Sequence, residues 1–527
     1  MTFFIKTLIY TLLLGLLAAC TPKAVDEEIR YSVLIINGTI YDGSLNPARN
    51  ANIGISGARI VSVDAAADAP ADLVIDATDR VVVPGFIDPH THANPELLSN
   101  ELKANVNYLT QGVTTVFVGN DGRGLPDRAT EVATMKEQGT GTNVGFFTGH
   151  GTAREAAMGL ENRAPTADEL DQMRQFVDEE MQAGALGLST GLFYRPGSYA
   201  ETSEVIELAK VAAKYGGVYD SHVRDESSYN IGILGSVKEV IQIAEEANIP
   251  VHIAHLKALG RDVWGQSGDI IGLVAAAQER GIEITADQYP WRASGTGIGS
   301  SLVPRWVMAD SQEAMFQRLE NADLKDGIRE EMEANLWRRG GAESLLITGE
   351  SEWRGMTLQE IAEQLAVDPI DAAIEVVRSG DPSVASFNMN PSDIEALAIQ
   401  PWVMTGSDGS NGHPRKYASY PKAYRDMVVA AKLFPLERFV YRSSALVADS
   451  FYLCDRGYLR EGYIADIAII NLDNFRPVAD FQNPTELSTG VTELLVNGEL
   501  AIAGGEFTGA LPGVVIDRQN LVCADRD

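Results

Sequence analysis

Along the centre of the chain, short apolar runs end in small or polar residues, and each is followed by a stretch of helical character. The runs are Val81 to Ile87, Val113 to Val118, Val144 to Thr148, Ala185 to Leu188, Gly217 to Tyr219, Val251 to Ala254, Ile282 to Thr285 and Trp402 to Met404. Short, mainly apolar runs of this kind predict strands, and the intervening helical stretches predict parallel crossovers. Eight such units predict the α/β class, as a (β/α)8 TIM-type barrel over residues 81–454. The flanks follow another rhythm, with short alternating strands broken by Asn37-Gly38, Asp42-Gly43, Asn497-Gly498 and Gly504-Gly505. Each flank is too small for a core of its own, so residues 31–80 and 455–515 are expected to form one discontinuous β-sandwich-like domain. Residues 291–346 exceed an ordinary strand-to-helix connection and carry a Gly-rich segment and a helical segment, which marks a candidate lid insertion.

The first twenty residues stand apart. Lys6 precedes an apolar stretch from Thr7 to Leu17, and Leu17-Ala18-Ala19-Cys20 resembles a bacterial lipobox. The stretch is shorter than the roughly 20 apolar residues of a spanning helix. The expectation is an exported, periplasm-facing protein anchored to a membrane only through lipid on Cys20. Cys454 and Cys523 are then left as a candidate pair. With 527 residues and 45% apolar content the chain can bury a large core, and its net charge of −31 excludes nucleic acid as an electrostatic partner. Oligomeric state is not readable from these features.

Candidate chemistry is concentrated at the predicted strand ends. His90 and His92 stand at i and i+2 after the first run, so on an extended strand both imidazoles project to one side, as two ligands of one metal ion must. Asp121 follows the second run, His222 the fifth, His255 the sixth and Asp408 the eighth. In a parallel barrel these ends converge on the axis, where active sites lie. The other histidines are His150, His252 and His413, and for His252 and His150 a role as satisfied core residues competes with a functional one.

Gly85-Phe86-Ile87-Asp88 with His90-x-His92, Gln111 to Thr115, Gly119-Asn120-x-Gly122, Gly149-His150-Gly151, His222 to Glu226, His255-Leu256-Lys257 and Ser407-Asp408-Gly409 with His413-Pro414-Arg415 resemble the amidohydrolase superfamily. Most of all they resemble its N-acyl-D-amino-acid deacylases, the D-aminoacylases, from about Tyr31 to about Gly513. The resemblance implies hydrolysis of N-acyl-D-amino acids with Asp408 as general base and acid. It implies a main zinc held by His222, His255 and the residue after strand two, a weaker second ion at His90 and His92, and room for other divalent metals. It also implies that Lys257, Tyr289 and Arg415, with His150, contact the substrate. One position departs from the family pattern: Asp121 stands where the D-aminoacylases carry cysteine, and a carboxylate is a harder, less zinc-selective ligand.

Rival readings are a dipeptidase acting on D-amino-acid-containing peptides, a cyclic-amide hydrolase and a non-catalytic lipoprotein. The cyclic-amide reading calls for a carboxylated lysine on strand four, where Ala185 to Thr190 offers Ser189 and Thr190 but no lysine.

Overall fold

The computed structural model describes residues 30–521, so Cys20 with the expected leader, and Cys523 as the candidate partner of Cys454, lie outside the described residues. Eight parallel strands form the centre: Phe86–Asp88, Val113–Val118, Asn143–Phe146 continued by Thr148–Gly149, Gly187–Gly191, Val218–His222, Val251–Ile253, Ile284–Gln288 and Val403–Thr405. They pair in chain order in two ladders. Main-chain bonds join the ladders, from Phe147 N–H to Val118 O at 3.0 Å and from Leu186 N–H to Phe146 O at 2.8 Å. A parallel bridge between Thr91 and Gly409 brings the last strand back to the first and closes the barrel.

The helices cover it for the usual amphipathic reason. Ala167–Gln182 begins at a capping box between Thr166 and Glu169 and buries Met173, Val177 and Met181, one residue every four, against the strands.

Strand limits drawn from hydrophobicity shift in an informative way. The run Val81 to Ile87 is divided between two sheets. Val81–Pro84 belongs to the flanking domain and only Phe86–Asp88 to the barrel, with the break at Gly85, where a Cβ would lie 2.2 Å from the Thr114 hydroxyl. The fourth, fifth and seventh strands instead extend past their apolar runs through Ser189 and Thr190, Asp220 to His222, and Asp287 and Gln288. Of these buried polar residues only His222 lines the barrel-mouth cavity; Ser189 bonds to the main chain of Gly119 and Gly122, Thr190 to Tyr219 and Ser221, Asp220 to Asn120, and Asp287 to His252 and the His255 N–H.

The flanks combine into one nine-stranded sheet rather than the two separate layers expected of a sandwich. Val81–Pro84 is its seam, pairing parallel with Tyr31–Ile40 and antiparallel with Ile467–Ile470. Ile35, Ile53, Ile55, Val82, Ile467 and Leu495 fill its core. A buried polar network fastens this sheet to the barrel. Asp466 forms an ion pair with Arg456 and accepts from Asn143 Nδ2 at 3.0 Å and from Asn497 N–H at 2.7 Å, while Asn497 Nδ2 donates to Asn143 Oδ1 at 2.7 Å.

The insertion is larger than the 291–346 segment expected. Its antiparallel strands Ser294–Gly297, Leu345–Ile347 and Ser383–Ser386 pair with each other, so it runs to Ser386. It has its own core of Ile298, Leu302, Met332, Leu345, Ile361 and Val384. The longer boundary follows from the third strand, without which the other two lack a partner. Among the described residues no helix is long and apolar enough to cross a membrane.

Replacing Asp466 by Ala leaves Arg456 buried without its carboxylate, which typically costs about 3–5 kcal/mol. Denaturant unfolding should show a loss of that size, with metal content unchanged because the network lies outside the catalytic cavity.

Candidate metal centre

The barrel mouth opens on a cavity of about 570 Å³ lined by His92, Asp121, His222, His255, Lys257, Asp408 and Arg415, among others. Asp121 is its centre. Its Oδ1 stands 3.4 Å from His90 Nε2, 3.3 Å from His222 Nδ1 and 3.5 Å from His255 Nε2, and its Oδ2 stands 3.4 Å from His92 Nε2. Asp408 Oδ1 lies 3.3 Å from His92 Nε2 and 3.7 Å from His90 Nε2. These spacings exceed ordinary hydrogen bonds of about 2.7–3.2 Å. They match the edges of a tetrahedral shell, roughly 3.3–3.6 Å for metal–ligand bonds of about 2.0–2.2 Å. Neither ring nitrogen of His90 or of His222 has a hydrogen-bond partner among the described residues, nor does Asp121 Oδ1. Buried polar atoms left like this, converging on one carboxylate, fit a bound cation.

Local backbone places these groups. Asp121, His255 and Asp408 all take positive φ, at 58°, 37° and 46°. Such strain in non-glycine residues persists only where surrounding structure holds it. Gly149 and Gly122 lie back to back, with space for a Cβ on Gly149 only 2.4 Å from the Gly122 carbonyl, and this contact pins the turn that carries Asp121. Buried carboxylates set the neighbouring main chain: Asp88 accepts from Ser407 N–H at 3.1 Å and His90 N–H at 3.3 Å, and Asp287 accepts from His255 N–H at 2.8 Å.

The electrostatics are those of a cation site. Burial pushes the Asp88 carboxyl up to about 8 and holds the His90 imidazole down to about 3, in the neutral form that ligation requires. Burial and Lys257 oppose charge on His255, but Asp408, Glu226 and Asp121 outweigh them and hold it at about 10. Burial would also raise Asp121 and Asp408, yet His90 and His222 around the first and Arg415 beside the second keep both below the usual carboxylate range.

Residues 73–279 match the model of the Amidohydrolase family. The chain is 30% identical to the D-aminoacylase of Alcaligenes xylosoxydans xylosoxydans over 93% of its own length and 98% of that relative. It belongs to the D-aminoacylase family of amidohydrolases and is a metal-dependent enzyme. Its fold matches the crystal structure of an N-acyl-D-glutamate deacylase from Bordetella bronchiseptica, complexed with zinc and a phosphonate inhibitor. The TM-score is 0.80 at 29% identity, over 93% of this chain and all of the other. A D-aminoacylase structure described for its binuclear metal centre gives the same TM-score at 28% identity, with coverage of 93% and 100%.

The expected substrate contacts fare unevenly. Lys257 and Arg415 line the cavity, each beside a carboxylate: Lys257 Nζ is 2.5 Å from Glu226 Oε1, and Arg415 Nη1 is 2.8 Å from Asp408 Oδ2. Tyr289 does not line it. The Tyr289 ring is 5.5 Å from Lys257 Nζ and 4.9 Å from the Arg415 guanidinium carbon, and its hydroxyl turns away toward Met389. His150 is a correction to the expected contacts. As the first residue of the helix His150–Met158 it turns away from the axis, and its Nε2 meets Glu204 Oε1 at 2.8 Å in a buried cluster with Arg154. His252 is likewise engaged in the core, with Thr285 and Asp287.

Two contributors were not anticipated. Asp287 lies one residue before the end of the seventh strand, beyond its apolar run, and would have been found by extending that strand. Glu226 lies four residues after His222 but on a loop, where no periodicity reports it. Its Oε1 is 3.1 Å from His255 Nδ1, so it orients the ring while Nε2 faces Asp121.

Replacing Asp121 by Ala should lower metal content and activity together, as read by metal analysis of dialysed protein, while Asp121→Cys should keep at least one firmly bound zinc. A different signature is expected at His150. Burial raises the Glu204 carboxyl, but His150 and Arg154 bring it below its ordinary value, so its stabilisation is present above the unfolded pKa and lost as pH falls through the folded one. Thermal unfolding of His150→Ala should show a lower Tm with much of this acid sensitivity removed, and KM should hold.

Proposed function

We propose that the enzyme hydrolyses the amide bond of N-acyl-D-amino acids, releasing a carboxylate and a D-amino acid. The observation that carries this reading is the Asp121 carboxylate set among four imidazoles with Asp408 at their edge. The chain's relationship to D-aminoacylases supports the substrate class. His222, His255 and Asp121 would hold the tighter zinc, and His90 and His92, with Asp121 and Asp408, a weaker second ion. Bound zinc supplies an acidified water and a polarised scissile carbonyl.

The protein's own groups do the rest. Asp408 is held ionised beside Arg415, as a base must be, and it borders the His90–His92 pair. In this reading it takes the proton of the attacking water at a carboxylate oxygen and later returns it to the leaving amine nitrogen. Lys257 and Arg415 receive the α-carboxylate, with the Tyr289 ring packed against both cations. Glu226 and Asp287 keep His255 oriented throughout. We read the leader as one that exports the protein and anchors it by lipid on Cys20, which puts this chemistry outside the cytoplasm.

Asp408→Asn keeps the shape of the side chain and removes the base. Its kcat should fall by at least roughly 100-fold, with zinc content near that of the parent. On N-acetyl-D- and N-acetyl-L-amino acids, the unmodified enzyme should favour the D forms. Full turnover by Asp408→Asn, or equal rates on the two enantiomers, would falsify the assignment.

A further inference from the structure

One buried cation beside the metal centre is used neither as a ligand nor as a contact for the substrate's carboxylate. Lys416 follows Arg415 on the helix Arg415–Ala423, but its side chain is fully buried and does not line the catalytic cavity. Its ammonium sits behind the cavity wall in a cage of three oxygens. Nζ lies 2.6 Å from Glu96 Oε1 and donates to Asn411 Oδ1 at 2.7 Å and to the His92 carbonyl at 3.3 Å. An ammonium carries three donors, and this cage engages all of them.

The oxygens come from the two segments that flank the chemistry. His92 and Glu96 follow the first barrel strand, and Asn411 lies in the loop just after Asp408; His92 and Asn411 both line the cavity. Lys416 is itself fixed, because its carbonyl accepts from Asn107 Nδ2 at 3.1 Å and from Gln111 Nε2 at 3.0 Å. Glu96 is committed to the pair, since its Oε2 is buried with no hydrogen-bond partner among the described residues. A buried ion pair is a poor source of stability, as desolvation offsets its attraction. What this one does supply is register between two loops of the site.

The two imidazoles assigned to the weaker ion are held differently. His90 is fully buried, and its N–H donates to Asp88 Oδ1 at 3.3 Å. His92 stands at the rim with its side chain 33% exposed. Its N–H donates to the Gly409 carbonyl at 3.1 Å, and its own carbonyl accepts from Lys416. Both anchors therefore lie downstream of Asp408, whose Oδ1 faces His92 Nε2 at 3.3 Å. His222 and His255 stand on other strands, and Glu226 orients the latter. We infer that Lys416 is a positioning residue that, through His92 and Asn411, sets the occupancy of the weaker metal position and leaves the tighter one unchanged. This rests on the two-ion reading of the site.

The test is zinc binding to the full chain in competition with a chelator, which reads the two affinities separately. The double variant Glu96→Gln with Lys416→Met removes both charges, so neither is left buried alone. In it the second zinc should bind roughly 10- to 100-fold more weakly, the loss typical of removing a group that orients a metal ligand. The first zinc should keep its parent affinity. A second zinc bound as tightly as in the parent overturns the inference, and so does an equal loss of both ions, which a merely structural role would produce. Should the double variant fail to fold, Asn411→Ala keeps the ion pair and opens one side of the cage. The same selective weakening is expected there, and affinities that stay put or fall together overturn the Lys416 role. A parent protein that takes up a single zinc overturns both the two-ion reading and this inference, while its turnover of N-acetyl-D-amino acids would leave deacylation standing.

Discussion

A buried carboxylate surrounded by four imidazoles is the constraint to which the rest of the structure answers. Taking Asp121 out of water is costly, and the cost is offset only if cationic or metal-bound partners converge on it from several directions. A closed parallel barrel meets that demand, because its strand ends deliver side chains from different parts of the chain to one axial point. The positive φ values of Asp121, His255 and Asp408 show how hard the backbone is bent to complete the cluster. That strain is retained because Asp88 and Asp287, themselves buried, grip the main chain on either side of it.

Around this centre, charges are arranged in pairs rather than as a simple positive pocket. Glu226 serves His255 and Lys257 together, and Asp408 serves the metal edge and Arg415 together. Each carboxylate thus links metal chemistry to the groups assigned to the substrate's carboxylate, so loading the metal and binding the ligand act on the same two acids. Arg339, a buried cation that also lines the cavity, stands outside this pairing and belongs to the insertion, not the barrel. The division of labour is physical: the barrel supplies rigid chemistry, and the insertion, with a separate core, supplies a wall that can vary without disturbing it.

How far the sequence was legible depended on whether a residue's role showed in local spacing. Alternation of short, mainly apolar runs and helical stretches was enough for eight parallel strands, because that rhythm is the one repeated βα units impose. The His90-x-His92 spacing was readable because two residues apart on a strand means one face. Strand ends were misplaced where buried residues were polar, as at Ser189, Asp220 and Asp287, since hydrophobicity cannot tell a polar side chain hydrogen-bonded in the interior from one facing water.

By itself, then, the sequence determined the class of fold, the pairing of the two flanks and the set of His90, His92, Asp121, His222, His255 and Asp408 as one group. Only the tertiary structure decided that Asp121 sits at the centre of that group, that His150 belongs to Glu204, and that Tyr289 supports cations instead of lining the cavity. It also decided that Arg339, more than eighty residues from His255 in the chain, faces the same cavity. The reason is common to all four: each depends on which way a side chain turns from its backbone, and that is settled by long-range packing, which spacing along the chain does not encode.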